Sequence, residues 1–230
     1  MGEKAEKLII NLEERLNFFS ELGVNFLSSS VSPSSTPPSS SVSKSSSYLS
    51  LRERILHCQK CLLSQERKNA VPGEGILEAE LMFVGEAPGH DEDIKGCPFV
   101  GKAGQLLTKI INAMHFQRQD VYITNVVKCR PPQNRTPYRK EIDQCKPYLL
   151  EQIEMIEPRV IVALGKVAAD FFIASDLSMS LLRGNFYEFN KIRVMPTFHP
   201  SFLIRNEGNR KIKKMVWEDM KKVMAFLGKE

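Results

Sequence analysis

The sequence lacks any apolar run that could cross a membrane, because charged residues interrupt every window well before the roughly 18 residues that a spanning helix needs. It also lacks the apolar core and cleavage site of a signal peptide, since the first residues lead into a segment dotted with charges. We therefore expect a cytoplasmic protein with no membrane partner. With 230 residues and 42% hydrophobic content, the chain can bury one sizeable core.

Two phosphate-binding patterns are missing as well. Residues 85–89, Gly-Glu-Ala-Pro-Gly, follow an apolar run but lack the GxGxxG spacing of a dinucleotide site, and Pro88 removes an amide that a phosphate would use. Residues 101–104, Gly-Lys-Ala-Gly, lack the Lys-Ser/Thr ending of a P-loop. Both absences disfavour nucleotide hydrolysis.

Core-forming residues are sparse before residue 48. Residues 1–27 contain apolar positions at helical spacing, which predicts an amphipathic helix that packs on its own core or docks on a protein partner or a second copy. Residues 28–47 hold thirteen Ser and three Pro, a composition typical of a flexible linker. We place the folded domain at residues 48–230.

Strand-like and helical patterns alternate through this domain. The predicted strands are 81–84, 121–127, 159–164 and 192–196. The predicted helices are 103–114, 138–156, 166–173 and 209–227. Such alternation predicts a single α/β domain with a central, mostly parallel four-stranded sheet and helices on both faces.

Candidate site residues follow the ends of the predicted strands. Residues 85–104 hold five glycines and two prolines, too many for the interior of a helix or strand, so we predict a loop that lines a cleft. Asn125 interrupts an apolar strand, and His199 follows the last one. Because open parallel sheets bind ligands beyond the carboxyl ends of their strands, the loop, Asn125 and His199 should converge.

Three of these side chains suit recognition of a flat, polar ligand. Phe99, held between Pro98 and Gly101, can offer its ring face to a ligand or simply fill the core. Asn125 can pair with the edge of a nucleobase or bond its own backbone. His199 can donate to a developing anion or serve a structural role.

The charge favours a polyanionic partner. The net charge is +5, and the first 48 residues, with four Lys/Arg and five Glu, do not supply it. Two basic clusters flank the predicted strand ends, where they suit phosphate contacts or form a solvated face. They comprise Lys128, Arg130, Arg135, Arg139 and Lys140, and Arg205, Arg210, Lys211, Lys213 and Lys214.

Four of the five cysteines suggest a metal centre. Cys58 and Cys61 form a CxxC pair, and Cys129 and Cys145 follow later in the chain. In a cytoplasmic protein such a set indicates a metal or cluster site before it indicates disulfides, although four unrelated buried thiols are the alternative. Zinc and an iron–sulfur cluster both accept four thiolates, and spacing does not choose between them. Cys97 has no spaced partner.

Taken together, these segments resemble one family, the type-4 uracil-DNA glycosylases, which are the iron–sulfur branch of the uracil-DNA glycosylase superfamily. The resemblance spans about residues 50 to 227, and the combination of motifs is specific although no single motif is. The matching segments are residues 85–89 with Glu92 and Asp93, residues 98–107, residues 124–132, residues 134–137, Leu164-Gly165, residues 199–201 and the four cysteines.

The resemblance implies an enzyme that flips uracil out of DNA and hydrolyses its N-glycosidic bond. Phe99 would stack on the uracil, Asn125 would bond its Watson–Crick edge, and His199 would stabilise the negative charge of the leaving base. Glu86 and Ala87 would line the pocket, with Glu86 counted among the catalytic residues. The substrate would be uracil-containing DNA, single- or double-stranded.

The resemblance also implies DNA contacts and a cofactor. Leu203 would be the apolar wedge that enters the duplex, with Ile204 as its rival, and Arg205 and Arg135 would contact DNA. Cys58, Cys61, Cys129 and Cys145 would hold a structural [4Fe–4S] cluster.

Two departures from other branches bear on mechanism. Ala87 stands where the best-known branch has an Asp that positions water, which leaves Glu92 and Glu86 as candidates for that role. The segment 130–137 is short and has no His, so stable covalent capture of abasic DNA is not expected.

Two other functions stay open at this stage. A non-enzymatic nucleic-acid-binding module with a zinc-stapled core would also use basic clusters, an aromatic residue and four cysteines. A glycosylase of the same fold could instead prefer another deaminated base, such as hypoxanthine.

Overall fold

A five-stranded sheet runs through the part of the chain that the computed structural model describes, residues 41–229. Its strands are β1 (Leu81–Gly85), β2 (Tyr122–Asn125), β3 (Val160–Leu164), β4 (Tyr187–Phe189) and β5 (Ile192–Thr197). The strand order is β2-β1-β3-β5-β4, and every neighbouring pair is parallel except β4 with β5. Every residue of β1, β2 and β3 is buried, as expected for strands covered on both faces.

Strand β4 is the difference from the predicted four-stranded sheet. It has three residues and joins β5 through Asn190 and Lys191, whose φ angles are 48° and 70°. Two adjacent residues with positive φ are typical of a tight antiparallel hairpin turn. Because Asn-Lys is a weaker signal for such a turn than Asn-Gly, the short edge strand escaped prediction.

Helices cover both faces of the sheet. They are α1 (Ser41–Leu56), α2 (Leu63–Glu66), α3 (His90–Lys95), α4 (Lys102–Ala113), α5 (Arg139–Ile156), α6 (Lys166–Ile173), α7 (Met179–Leu182), α8 (Pro200–Arg205) and α9 (Arg210–Leu227). The single α/β domain is thus confirmed, and α4, α5, α6 and α9 match the four predicted helices to within one residue at each end. Among the described residues, no helix combines the length and the apolar character that crossing a membrane requires.

The first described helix was not predicted from the sequence. Helix α1 begins at Ser41, seven residues before the predicted domain start at Tyr48. Leu51 and Ile55, four residues apart, are fully buried in the core and anchor the helix, whose serines carry only a modest helix penalty. The rest of the predicted linker and the predicted N-terminal helix lie outside the described residues.

Two apolar clusters form the core, and they share the strands. One contains Met82, Val84 and Ile161 together with α1 and α5, and the other contains Phe83, Val162 and the inner faces of α4 and α9. Neighbouring residues along each strand point to opposite faces, so each strand contributes to both clusters. The loops at the carboxyl ends of the strands are thereby held on a rigid base.

Candidate active site

A cleft of about 620 Å³ opens at the carboxyl ends of the parallel strands. Most residues predicted for the site line it, and these are Glu86, Ala87, Phe99, Asn125, Arg135, His199 and Arg205. The chain segments that supply them are far apart in sequence and meet because β1, β2, β3 and β5 all run in the same direction. Leu203, which was predicted to contact DNA, does not line the cleft.

Asn125 ends β2 and lies opposite Gly85 of β1. Its side chain is 1% exposed, and its Oδ1 atom is the one buried side-chain oxygen or nitrogen in the described part of the chain that has no hydrogen-bond partner. A Cβ atom on Gly85 would lie 2.4 Å from this oxygen and 2.5 Å from Cζ of Phe99. Glycine at position 85 therefore lets the amide and the ring approach each other. An unpartnered buried acceptor of this kind points to a ligand that donates to it.

Phe99 forms the wall next to His199. The two rings lie with centroids 5.6 Å apart and planes inclined by 33°. Phe99 has a φ angle of 50°, which is unfavourable for a residue with a side chain. Strained backbone that the surroundings hold in place is found preferentially at binding sites.

Glu92 holds the loop around Phe99. One carboxylate oxygen accepts hydrogen bonds from the backbone amides of Val100 and Gly101, at 2.9 and 3.0 Å, and the other accepts from Gly89 at 3.1 Å. With both oxygens engaged, Glu92 is bound to the protein backbone and is poorly placed to orient a water molecule. Of the two carboxylates predicted for that role, Glu86 is left.

Glu86 follows β1 and lines the cleft. Its carboxylate makes no hydrogen bond or ion pair with any other described residue. Burial raises the pKa of Glu86 above its usual value. A carboxylate that is partly desolvated and has no protein partner can accept a proton from a bound water.

The geometry around His199 fixes its tautomer. The backbone amide of Ser201 donates to Nδ1 at 3.1 Å, so Nδ1 carries a lone pair and the proton of the neutral ring is on Nε2. Burial is the main reason that the pKa of His199 falls to about 4, and Arg205 lowers it further while Glu92 opposes the shift. At neutral pH the ring is therefore an uncharged donor through Nε2.

Three of the predicted basic residues lie in different surroundings. Arg205 is exposed at the mouth of the cleft. Arg135 also lines the cleft, but its guanidinium donates two hydrogen bonds to Glu141, at 2.7 and 2.9 Å. Lys128 is 1% exposed, so the expectation that it contacts phosphates or lies on a solvated face is wrong. It is turned inward because three protein oxygens surround its Nζ atom.

The four spaced cysteines come together at a second, smaller cavity. Cys58, Cys61, Cys129 and Cys145 all line it, and Cys97 does not. Arg67 donates to Sγ of Cys129 at 2.8 Å, and the backbone amide of Lys128 donates to Sγ of Cys145 at 3.3 Å. Both bonds favour the thiolate form, which is the form that binds metal. Burial outweighs them and raises the pKa of both thiols. Among the described residues, no group of three or more His, Cys, Asp and Glu side chains is arranged to hold a single metal ion.

Comparison with known proteins agrees with this geometry. The family model for the uracil DNA glycosylase superfamily matches residues 72–221. The chain is 48% identical over 180 residues to the type-4 uracil-DNA glycosylase of Thermotoga maritima, covering 77% of this chain and 93% of that protein. It is also 48% identical over 186 residues to the type-4 enzyme of Saccharolobus solfataricus, covering 77% and 85%. The chain belongs to the type-4 uracil-DNA glycosylases.

Within this family fold, the segment predicted to enter DNA is a short helix. Leu203 of α8 is 3% exposed and packs in the core cluster with Leu107 and Val216. A side chain that fills the core is poorly placed to enter a duplex, so this arrangement favours Ile204 over Leu203, and the identity of the wedge stays a prediction. Its neighbour Ile204 is only partly buried, because the next residue of a helix points about 100° away.

Several cleft residues were not predicted from the sequence. Phe198 and Phe202 stack with ring centroids 5.0 Å apart and line the cleft beside His199. Because they lie close to His199 in the sequence, on either side of it, they could have been predicted to line the cleft as well. Met179 of α7 also lines the cleft, but it lies in a segment without any motif, and only the fold brings it there.

Proposed function

We propose that this chain is a uracil-DNA glycosylase that hydrolyses the N-glycosidic bond between uracil and deoxyribose in DNA and leaves an abasic site. The observation that carries the proposal is the buried, unpartnered Oδ1 atom of Asn125, which lies near the ring of Phe99 in the cleft that His199 also lines. The relatives that are 48% identical are named type-4 uracil-DNA glycosylases.

The cleft suits recognition of uracil by shape and by hydrogen-bond pattern. Phe99 gives a flat apolar surface on which an extruded base can stack. Asn125 accepts from the N3–H group of uracil through Oδ1 and donates to O4 through Nδ2. Cytosine presents an acceptor at N3 and a donor at position 4, so it would leave both buried amide groups mismatched. Mismatched buried polar groups reject a ligand strongly.

His199 is the main catalytic residue of the proposed reaction. As the C1′–N1 bond breaks, negative charge develops on the uracil oxygens, and the Nε2–H group of the neutral His199 donates to O2. Donors that are already in place where charge develops lower the barrier most. The lowered pKa of His199 keeps the ring neutral, so it stabilises the uracil anion by a hydrogen bond.

Glu86 is the group that orients the attacking water in this proposal. Water adds to C1′ of the oxocarbenium-like sugar, a new C1′–O bond forms, and the carboxylate of Glu86 takes the proton. Uracil leaves as the anion and is protonated by solvent. Glu86 is suited to this step because it lines the cleft and its carboxylate has no partner among the described residues.

The DNA would lie across the mouth of the cleft. Ile204, which the burial of Leu203 leaves as the apolar wedge, would fill the space of the extruded base, and Arg205 and Arg135 would face phosphates. Extrusion of a base from a duplex costs a few kcal/mol. Single-stranded uracil and U·G mispairs should therefore react faster than U·A pairs.

The four cysteines fit a [4Fe–4S] cluster, which such a set can ligate. The fit rests on four thiols at one cavity, two of which accept hydrogen bonds that stabilise a thiolate. When bound, the cluster would cross-link α5 and the segments that carry Cys58 and Cys129, and it takes no part in the hydrolysis. Action in the cytoplasm and a protein partner for residues 1–27 stay predictions.

The test is uracil release by purified variants. Asn125→Ala and His199→Ala should each lower the rate by about 10²-fold or more, because each removes a contact to the base or to the developing anion. Oligonucleotides with single uracil or hypoxanthine lesions, cleaved by alkali at abasic sites, give the rates.

Matched controls are Asn112→Ala and His115→Ala, the same substitutions at exposed positions away from the cleft. They should keep full activity. DNA binding by the unsubstituted protein without any base release would favour the non-enzymatic function, and release of hypoxanthine in preference to uracil would reassign the substrate.

A further inference from the structure

A buried lysine lies between the cysteine cavity and the base pocket. Lys128 is 1% exposed, and its Nζ atom lies 2.7 Å from each of three oxygens, which are Oγ1 of Thr124, the carbonyl of Asn125 and Oε1 of Gln152. All three oxygens are within hydrogen-bonding distance of Nζ. A buried polar group that is enclosed by such partners is costly to disturb and holds them in one arrangement.

The contacts of Lys128 connect two functional regions. On one side its backbone amide donates to Sγ of Cys145, and Cys129 is the next residue in the chain. On the other side its Nζ atom donates to the carbonyl of Asn125. Lys128 therefore ties the end of β2 to the segment that carries the proposed cluster.

The side chain of Asn125 needs such support because nothing in the cleft orients it. Its Oδ1 atom has no partner, and its amide makes no hydrogen bond with any other described residue. Its direction is thus set by its backbone and by packing against Gly85 and Phe99. The hydrogen bond from Lys128 restrains the peptide plane that follows Asn125.

We propose that Lys128 is a positioning residue for uracil recognition, which holds the backbone of Asn125 so that the amide meets the base edge. The proposal rests on the proposed function, and Lys128 itself touches neither DNA nor base. Through Lys128, the segment that carries Cys129 would stabilise the base pocket as well as the fold.

The experiment compares Lys128→Met with Tyr122→Phe. Methionine keeps much of the length and removes all three donors. Tyr122→Phe disturbs the same buried network, because the Tyr122 hydroxyl bonds Tyr48 at 2.8 Å and Gln152 at 3.0 Å, but it does not touch Asn125. The iron content, the zinc content and the folded fraction are measured for each variant. Rates are then measured under conditions in which both variants are fully folded.

For Lys128→Met we expect kcat on uracil DNA to fall by about 10²-fold, the effect of a small misplacement of a binding group. Inhibition by free uracil should weaken markedly, while the metal content stays unchanged because the backbone bond to Cys145 survives. Tyr122→Phe should keep its kcat and its inhibition by uracil. Thr124→Val, which removes one of the three acceptors and is milder, should give an intermediate loss.

Equal kcat and equal uracil inhibition in Lys128→Met and Tyr122→Phe would overturn the proposal, as would a loss of iron that accounts for the loss of rate. If Lys128→Met does not fold, a Thr124→Val variant with unchanged uracil inhibition overturns it. Absence of uracil release by the unsubstituted protein would instead overturn the proposed function, and with it this inference.

Discussion

At the scale of single residues, the cleft contains groups whose ordinary behaviour has been altered by burial. His199 is held neutral, the pKa of Glu86 is raised, and Asn125 keeps an acceptor without a partner. Each alteration suits a step of base recognition or hydrolysis. Such departures cluster at functional sites because selection for activity tolerates them there.

The lowered pKa of His199 predicts a pH dependence of stability. In the unfolded chain the ring has a pKa near 6.5, and in the folded protein the pKa is about 4. Between these values the unfolded state binds a proton that the folded state does not, so the free energy of unfolding falls as the pH is lowered through this window. At the lower end of this pH window, the titration of His199 should have reduced the free energy of unfolding by about 3 kcal/mol.

Urea denaturation of the protein and of His199→Gln as a function of pH measures this effect. The variant should lose less stability than the unsubstituted protein between pH 6.5 and 4, because glutamine does not titrate. Parallel stability curves for the two proteins would show that the ring is protonated in the folded state as readily as in the unfolded one.

At the scale of helices and strands, the sequence predicted most of what positions the site. Helices with clear apolar periodicity, such as α4 and α9, were placed to within one residue. Asn125 and His199 were placed correctly at the cleft because parallel strands end at one edge. The burial of Leu203 in α8 was not predicted, because the wedge was chosen by resemblance to a loop and a six-residue helix is too short to show its buried face in the sequence.

The features of the site that the sequence did not predict depend on tertiary contacts. The inward turn of Lys128 could not be predicted, since a lysine among cations in sequence normally lies on the surface and only the oxygens of Thr124 and Gln152 reverse this. The role of Glu92 as an acceptor for three backbone amides likewise depends on the path of the loop. Both are features of the folded chain that no local pattern encodes.

The packing of α4 under the Phe99 loop gives a prediction about one glycine. A Cβ atom on Gly104 would lie 1.8 Å from the carbonyl oxygen of Phe99, so Gly104→Ala must displace the loop. Alanine ordinarily stabilises a helix by about 1 kcal/mol relative to glycine. Here we expect the opposite sign, a loss of about 1–3 kcal/mol from overpacking, together with weaker uracil release.

Gly208→Ala is the matched control, because a Cβ atom there meets nothing within 4 Å. Its stability, measured by thermal and urea unfolding, should stay close to that of the unsubstituted protein. A Gly104→Ala variant as stable and as active as this control would mean that the loop carries no close contact with α4.

At the scale of the whole molecule, cations without carboxylate partners are concentrated after α8. Arg210, Lys211 and Lys213 begin α9, are exposed, and make no ion pair with any described residue. Farther along the same helix, Lys221 is paired with Glu218. The unpaired group follows directly on the helix that carries Ile204 and Arg205, so a duplex held at the cleft would meet it. Its charge is thus available for phosphate contacts.

Neutralising one of these cations should change the salt dependence of DNA binding. Each phosphate contact that is lost lowers the slope of log K against log salt by about 0.9 for a duplex, so Lys211→Gln and Lys213→Gln should each reduce the slope by about one. Fluorescence anisotropy with uracil-free duplex at several salt concentrations measures it. The control is Lys191→Gln in the turn before β5, at the opposite end of the strands, which should leave the slope unchanged. If all three variants keep the original slope, the duplex does not reach the start of α9, and its path must follow the Arg135 side of the cleft instead.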